Sequence, residues 1–227
     1  MSHAPPERVG VVLSAGGSSF EAGFKASGWA AGAVHVVTDR ECDAEGRAAF
    51  LGLSHRRIVE RDAEALSTAI ANEFRKERCG AVLLNFSRLV TASLYDALPT
   101  FNVHPSLLPA FPGLDGVGDA HGAGALFQGA TLHRVDASVD GGPIVAQSVL
   151  PVPRATDEAR RRHIGYLQSA LMVISFFDLI AAGRLHPATG HFDTTDLAPH
   201  GVQNPGLNDP DRQEAARALL AASGIEA

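Results

Sequence analysis

Three side chains suited to carbonyl chemistry lie in two short, turn-rich stretches of this chain. Asn102 and His104 occur in Asn-Val-His-Pro-Ser-Leu-Leu-Pro, and Asp140 follows in Val-Asp-Gly-Gly-Pro. An amide and an imidazole can hydrogen-bond the oxyanion that forms when a carbonyl is attacked, and a carboxylate can help to move a proton towards the leaving group. If the fold brings the three together, they predict acyl-type transfer.

Each of these residues also has a plainer interpretation. His104 is one of 10 histidines, and a single histidine is more often structural or on the surface than catalytic. Asn102 and Asp140 are good turn formers, the latter because Gly-Gly-Pro follows it. Only their combination points to a function.

The composition favours one domain that handles small molecules. A chain of 227 residues that is 45% hydrophobic can bury a substantial core as a single α/β unit. Its formal net charge of -6 is scattered, which argues against nucleic acid or an anionic membrane surface as a partner. The start is polar and we expect no apolar run of membrane-spanning length, so a soluble, cytoplasmic protein is predicted.

The cysteines and histidines predict neither a metal site nor a disulfide. Cys42 and Cys79 lie far apart without a paired-ligand spacing, and the histidines show no His-Glu-x-x-His pattern. We expect both cysteines to be ordinary thiols.

Apolar runs and helical patterns alternate along the first half of the chain. Strands are predicted at residues 9–13, 33–37, 57–59, 81–84 and 101–103, and helices at residues 19–29, 44–51, 62–76 and 91–98. Such alternation is typical of parallel βαβ units. It places Asn102 and His104 at the end of a strand.

The second half predicts a mixed sheet. Strands at residues 130–135 and 144–150 are joined by a Gly-rich connection, as in a hairpin. Residues 111–124 indicate a mobile loop that could act as a lid, with at most a short helix at 120–127. Long helical patterns cover residues 157–182 and 211–222, and order between them is not predicted after Leu185.

Two loops that follow predicted strands are candidates for ligand binding. The loop Ser-Ala-Gly-Gly-Ser-Ser at residues 14–19 could hold an anion with its backbone amides, or Ser18 or Ser19 could simply cap the next helix. Asn-Phe-Ser-Arg at residues 85–88 follows a buried strand, where doubly wound sheets open their ligand crevice. Arg88 there could bind an anion or form a salt bridge.

Three stretches carry a specific combination of motifs. They are Phe-Asn-Val-His-Pro-Ser-Leu-Leu-Pro-Ala-Phe-Pro-Gly at residues 101–113, Gly-Ala-Thr-Leu-His at 129–133 and Val-Asp-Gly-Gly-Pro-Ile-Val-Ala-Gln at 139–147. With them the chain resembles the folate-dependent formyltransferases, most of all those that act on glycinamide ribonucleotide. The resemblance implies an α/β formyltransferase fold, with a Rossmann-like, mostly parallel twisted sheet, helices on both faces and a C-terminal antiparallel strand pair. It places this domain at residues 9–185, after a flexible segment at 1–8 and before an extension at 186–227 with one helix.

The resemblance also implies the reaction. A primary amine of a small molecule attacks the formyl group of 10-formyltetrahydrofolate, Asn102 and protonated His104 stabilise the oxyanion, and Asp140 supports the charged imidazole. The matching cofactor-binding positions are Arg88, Leu89, Val90, Val135, Asp136 and Asp140, and the substrate-binding positions are Gly17, Ser18, Ser19, Asn85 and Pro105. No metal takes part, and the implied protein is a cytoplasmic monomer or homodimer of one-carbon metabolism.

The acceptor side departs from the family pattern. The loop at residues 14–19 lacks two amide side chains of the family's phosphate loop, and Asn85 stands where relatives generally have Gly. Residues 115–118 replace a His-Thr-His-Arg-like stretch, and Ser169 stands for a Glu that holds the amine. The acceptor is therefore left open between glycinamide ribonucleotide and another small amine, such as an amino sugar or a biosynthetic intermediate. A formyltetrahydrofolate hydrolase and a folate-binding relative without turnover are the alternatives, and the intact trio argues against the second.

Overall fold

A mixed sheet of eight strands forms the centre of the protein, as described by a computed structural model for residues 8–222 and 224. The strands are β1 (Arg8–Leu13), β2 (Val34–Thr38), β3 (Ser54–Arg57), β4 (Cys79–Asn85), β5 (Thr100–His104), β6 (Phe127–Arg134), β7 (Ile144–Pro151), β8 (Leu185–His186), β9 (His191–Phe192) and β10 (Gln203–Asn204). Their order across the main sheet is β10-β7-β6-β5-β4-β1-β2-β3, and β8 and β9 form a separate pair. Strands β3, β2, β1, β4 and β5 are parallel, whereas β6, β7 and β10 are antiparallel to their neighbours. The predicted mostly parallel sheet with an antiparallel pair is confirmed.

Helices cover both faces of this sheet. They are α1 (Ser18–Ser27), α2 (Asp43–Phe50), α3 (Ala63–Lys76), α4 (Ala92–Tyr95), α5 (Gly116–Gly122), α6 (Glu158–Ala181) and α7 (Pro210–Ala221), with a 3-10 turn at Ala31–Ala33. Successive strand residues point to opposite faces, so Val11 joins a cluster with residues of α1 and α6, while Val12 joins a cluster with residues of α3 and α4. We call these two sides the α1/α6 face and the α3/α4 face.

The long helix α6 is the core of the α1/α6 face. Asp157 begins it as an N-cap whose side chain accepts from the Arg160 amide over 2.7 Å. Among the described residues, it is the one helix long and apolar enough to cross a membrane. In its most apolar stretch of 18 residues, 89% is buried inside the protein. The expectation that no apolar run reaches that length is therefore wrong, because a helix buried against both sheet and tail can be apolar on most of its surface.

Three sequence expectations are displaced in the structure. Arg8 belongs to β1, while the other residues of the expected flexible segment lie outside the described part of the chain. Strand β3 ends at Arg57 rather than beginning there, because its exposed side chains carry no pattern and pairing with β2 alone defines it. Helix α5 ends at Gly122 instead of starting at residue 120, because Asp115 caps it by accepting from the Gly118 amide.

The tail after Leu185 is fastened to α6 by a buried carboxylate. Asp178, 1% exposed, accepts hydrogen bonds from the amide of Asn208 over 2.7 Å, from the amide of Asp209 over 3.1 Å and from Arg212 over 3.2 Å. Strand β10 extends the sheet beyond β7, and α7 contacts α1 and α6. The described part of the tail thus completes the core, and the division of the chain at residue 185 stays a prediction.

Replacing this carboxylate tests the attachment. We expect Asp178→Ala to lower the free energy of unfolding by about 3–5 kcal/mol, because Arg212 and two amides lose a buried partner. Urea unfolding measures the loss. Glu214→Ala on α7 is the matched control, since Glu214 is 73% exposed in its pair with Arg217 and its loss should cost less than about 0.5 kcal/mol. Equal effects of the two substitutions would contradict the assignment.

Candidate active site

The alternation of β5 places Asn102 and His104 on the α3/α4 face. Phe101 and Val103 point the other way, into the core, where the Phe101 ring lies 5.7 Å from that of Phe176 in α6. The two polar side chains, two residues apart on a strand, therefore share one face. His104 ends the strand, so the catalytic candidates lie where the sheet opens into loops.

The loop that follows β5 is fastened by two residues from the neighbouring strands. Thr131 Oγ1 donates to the Ser106 carbonyl over 2.7 Å and accepts from the Leu108 amide over 3.1 Å. Gln147 Nε2 donates to the Leu108 carbonyl over 2.9 Å. Both residues belong to the motifs of the sequence, and the contacts explain why these side chains accompany the trio.

His104 is buried between two hydrogen-bond acceptors. Its Nε2 donates to the Phe111 carbonyl over 2.9 Å, and its Nδ1 lies 3.5 Å from Asp140 Oδ2. The ring is 3% exposed. Since a carbonyl can only accept, Nε2 carries a proton, and the opposite nitrogen faces a carboxylate. The structure thus brings the predicted His104 and Asp140 together.

Asp140 also holds the loop that covers the site. Its Oδ2 accepts from the Gly113 amide over 2.8 Å. Gly116 approaches so closely that a Cβ there would lie 3.0 Å from His104 Nε2. The φ angles of Asp140 and Phe111 are 53° and 57°. This left-handed conformation costs about 1–3 kcal/mol for residues other than glycine. Loop residues 111–116 are therefore part of the site's structure.

His133 completes the site, although the sequence analysis noted it only as part of a motif. It lies directly opposite Asn102 in the β5–β6 ladder. Its Nδ1 donates to the Arg134 carbonyl over 3.1 Å, so Nε2 is left to accept from Asn102 Nδ2 over 3.2 Å. Burial lowers the pKa of His133, against opposing contributions from that carbonyl and from Asp140. A neutral histidine therefore orients the Asn102 amide.

The predicted cofactor-binding stretches meet on the α3/α4 face. Val90 and Val135 pack against the same buried cluster, and the neighbouring Leu89 is 61% exposed. Hydrogen bonds from Ser138 lower the pKa of Asp136, which keeps that carboxylate charged in its turn. Backbone and apolar surface rather than free charged side chains dominate here.

The guanidinium of Arg88 is held by partners within the protein. It donates to Asp39 over 3.3 Å and to the carbonyls of Glu60 and Arg61, each over 2.9 Å. Of the two interpretations open from the sequence, the salt bridge is the one that the structure contains. Burial opposes ionisation of Asp39, but hydrogen bonds from Arg40 and Arg88 lower its pKa overall.

A cleft of about 240 Å³ lies between α1 and α6, and its lining residues are Ser18, Ser19, Pro105, Val117, Arg162, Gly165, Tyr166 and Ser169. Three predicted substrate residues line it. The other two lie beside it: Gly17, with a φ of 63, caps α1, and Asn85 donates to Ser19. Neither serine caps the helix, and no side chain in the described part of the chain accepts a hydrogen bond from the first-turn amides of α1. Ser169 lies in the cleft wall, as its departure from the family pattern suggested.

Apart from Ser169, the residues of the α6 wall of this cleft were not predicted from the sequence. Arg162, Gly165, Tyr166 and Ser169 repeat at helical spacing, but the apolar middle of α6 drew attention to its buried residues instead. Arg162 forms two hydrogen bonds with Asp115, over 3.1 and 3.2 Å, and lowers the pKa of that carboxyl. The pair joins α6 to the loop that covers His104.

Within residues 8–222 and 224, no group of three or more His, Cys, Asp or Glu side chains could hold a metal ion. The described site offers amide, imidazole and carboxylate groups, which act through hydrogen bonds and proton transfer.

Comparison with known proteins identifies relatives of the chain. The profile of the family described as Formyl transferase matches residues 8–164. The phosphoribosylglycinamide formyltransferase of Bacillus subtilis is 34% identical over 156 residues, which cover 64% of this chain and 80% of that protein.

Solved structures of other proteins share the fold. Glycinamide ribonucleotide transformylase 1 from Symbiobacterium toebii superposes with a TM-score of 0.73 at 28% identity, covering 81% of this chain and 91% of its own. A formyltetrahydrofolate deformylase from Pseudomonas syringae pv. tomato superposes with a TM-score of 0.68 at 19% identity, covering 79% of this chain and 63% of its own. The second likeness concerns the fold alone.

The lowered pKa of His133 predicts a pH dependence of stability. The unfolded chain takes up this proton near the ordinary value of 6.5, and the folded protein only at lower pH. His133 therefore contributes fully to stability above pH 6.5, and the contribution is lost as the pH falls below it. We expect wild type to lose stability more steeply than His133→Gln, by at most about 1.4 kcal/mol per pH unit, in urea unfolding at decreasing pH. Parallel curves would contradict the neutral assignment.

Proposed function

Because the chain belongs to the formyl transferase family, we propose that it transfers the formyl group of 10-formyltetrahydrofolate to the amino group of glycinamide ribonucleotide. An N-formyltransferase with 10-formyltetrahydrofolate as co-substrate is the enzyme that the sequence predicts, and the family and its relatives confirm this class. The acceptor and the roles of individual residues are the proposal.

One observation carries the residue roles: Asn102, His104 and Asp140 converge at the end of β5. The distance of 3.5 Å between His104 and Asp140 lets the carboxylate support a charged imidazole, and His133 holds the Asn102 amide over 3.2 Å. Amide and imidazole N–H groups are the donors that stabilise an oxyanion on a formyl group. We assign oxyanion stabilisation to Asn102 and His104.

The contact of the Phe111 carbonyl with His104 supports a binding position for the formyl oxygen. The carbonyl accepts from His104 Nε2 over 2.9 Å, at the position that a substrate carbonyl needs to occupy. In the proposed reaction the formyl oxygen takes the place of the Phe111 carbonyl, which turns away from His104. As negative charge develops on that oxygen, Nε2 becomes a charge-assisted donor, which is the stronger kind of hydrogen bond.

Asp140 is placed to support this charge and to move a proton. The amine must lose a proton when its nitrogen bonds to the formyl carbon, and the nitrogen of the departing tetrahydrofolate must gain one. Asp140 lies beside His104 and is anchored by the Gly113 amide over 2.8 Å. We assign to Asp140 the orientation of His104 and the relay of this proton.

The two substrates approach from opposite faces of the sheet. Two of the proposed folate positions, Val90 and Val135, pack on the α3/α4 face. The other proposed folate positions are Arg88, Leu89, Asp136 and Asp140, which are close to these two in the sequence. The cleft between α1 and α6 lies on the other side. Amine and formyl group then meet at the end of β5, and direct transfer needs no covalent enzyme intermediate.

Two features of the cleft support a phosphorylated amine. Within residues 8–222 and 224 the first-turn amides of α1 have no side-chain acceptor, and Ser18 and Ser19 add hydroxyls beside them. Gly17, Asn85 and Pro105 complete the proposed acceptor site. Arg162 adds a cation to the same cleft, although Asp115 and Glu158 partly neutralise it.

A different small amine is the second candidate. The observation that favours it is the α6 wall, where Ser169 offers no charge to an amine and Tyr166 presents an aromatic ring. Hydrolysis of the formyl group is a third outcome of the same chemistry, with water in place of the amine. We further infer that the protein acts in the cytoplasm on small molecules, as a monomer or a homodimer.

An acceptor screen tests the proposal. We expect tetrahydrofolate release from 10-formyltetrahydrofolate to depend on glycinamide ribonucleotide, with a turnover of roughly 1 per second or more. Absorbance reports the release, and mass spectrometry identifies the formylated amine. Amino sugars and other small amines form the comparison panel, and a reaction without amine is the control.

The outcomes separate the candidates. If another amine is formylated faster than glycinamide ribonucleotide, that amine is the acceptor. Release of formate at the same rate without any amine would establish a hydrolase and contradict formyl transfer.

A further inference from the structure

The side chains of Asn85 and Ser19 form a hydrogen bond at the end of the acceptor cleft. Asn85 Nδ2 donates to Ser19 Oγ over 2.9 Å, and the pair is partly buried. Asn85 ends β4 next to Leu13 at the end of β1, and Ser19 lies in the first turn of α1. The bond therefore joins the edge of the sheet to a residue that lines the cleft.

The direction of this bond determines what Ser19 can offer to a ligand. A hydroxyl has one proton to donate and accepts through its lone pairs. Because Asn85 donates to Ser19 Oγ, the Ser19 proton stays available, and no residue of 8–222 and 224 accepts it. Ser19 thus enters the cleft as a donor.

A donor at this place suits a ligand oxygen that carries negative charge. The Ser19 hydroxyl lies on the first turn of α1, and Arg162 lines the same cleft. Hydrogen bonds to charged groups contribute more than neutral ones, so the orientation of a single hydroxyl can change affinity measurably.

We propose that Asn85 is a positioning residue that sets acceptor specificity: it orients Ser19 as a donor to an oxyanion on the amine substrate. The inference rests on the proposed function, because it concerns the acceptor of formyl transfer. The preference for an amine substrate that carries an anionic group is thereby assigned to Asn85, which acts on the ligand through Ser19 and does not contact it directly. If the pair only linked β4 to α1 structurally, a hydrogen bond in the opposite direction, from Ser19 to residue 85, would do so equally well.

Reversing the bond tests this role. Asn85→Asp keeps the shape of the side chain but can only accept, so Ser19 must turn its proton towards residue 85. We expect the KM for glycinamide ribonucleotide to rise roughly ten-fold or more. The kcat and the KM for 10-formyltetrahydrofolate should stay close to wild type, because neither depends on this pair.

The Ser19→Ala background is the matched control. The new negative charge of Asn85→Asp acts on the ligand in both backgrounds, whereas the reversal acts only where Ser19 is present. We therefore expect Asn85→Asp to raise KM by a several-fold smaller factor in Ser19→Ala than in wild type. The same factor in both backgrounds, or no effect of Asn85→Asp, would overturn the proposal.

Inorganic phosphate separates this inference from the identity of the acceptor. We expect phosphate to raise the melting temperature of wild type above that in chloride of equal ionic strength. This increase in melting temperature should be smaller in Asn85→Asp than in wild type. The effect of Asn85→Asp on the increase should itself be smaller in the Ser19→Ala background. If glycinamide ribonucleotide is not formylated but this pattern appears, only the proposed acceptor fails. The four proteins compared are wild type, Asn85→Asp, Ser19→Ala and the double variant. If phosphate stabilises all four equally, or none of them, the proposed role of Asn85 is overturned.

Discussion

The register of β5 against β6 is the constraint on which the site depends. It sets Asn102 opposite His133 and His104 opposite Thr131. The Asn102 amide can therefore bond to the neutral His133 imidazole, and Thr131 can bond to the loop that follows β5. Because side chains alternate along a strand, a slip of one residue would turn Asn102 and His104 into the core against α6. Phe101 and Val103, buried on that side, make the slip costly, since two polar side chains would replace them there.

The same alternation explains how one sheet serves two substrates. The α3/α4 face carries the trio and the apolar surface proposed for folate, while the α1/α6 face carries the acceptor cleft. The parallel strands β1, β4 and β5 end at one edge, and the loops after them supply both binding regions. Loop residues 111–116 join the two, because Asp115 bonds to Arg162 on one side and Phe111 and Gly113 bond to His104 and Asp140 on the other.

The catalytic side of this arrangement could be predicted from the sequence, and much of the acceptor side could not. Asn102 and His104 lie in a run with clear strand alternation, and the motif resemblance supplied Asp140, which no periodicity connects to them. His133 escaped assignment because its role depends on a cross-strand partner 31 residues away. Arg162 and Tyr166 escaped because a mostly buried helix conceals the few positions that reach a cleft. Helix α5 and strand β3 were misplaced since a single cap and a backbone ladder, rather than a side-chain pattern, define them.

If Asn102, His104 and Asp140 perform formyl transfer, the single-turnover rate must fall when His104 is replaced by alanine. With His104→Ala shown by circular dichroism to be folded and still able to bind 10-formyltetrahydrofolate, we expect a rate lower than wild type by about 10²–10³-fold, as for loss of one oxyanion donor. A rate close to that of wild type would exclude these catalytic roles.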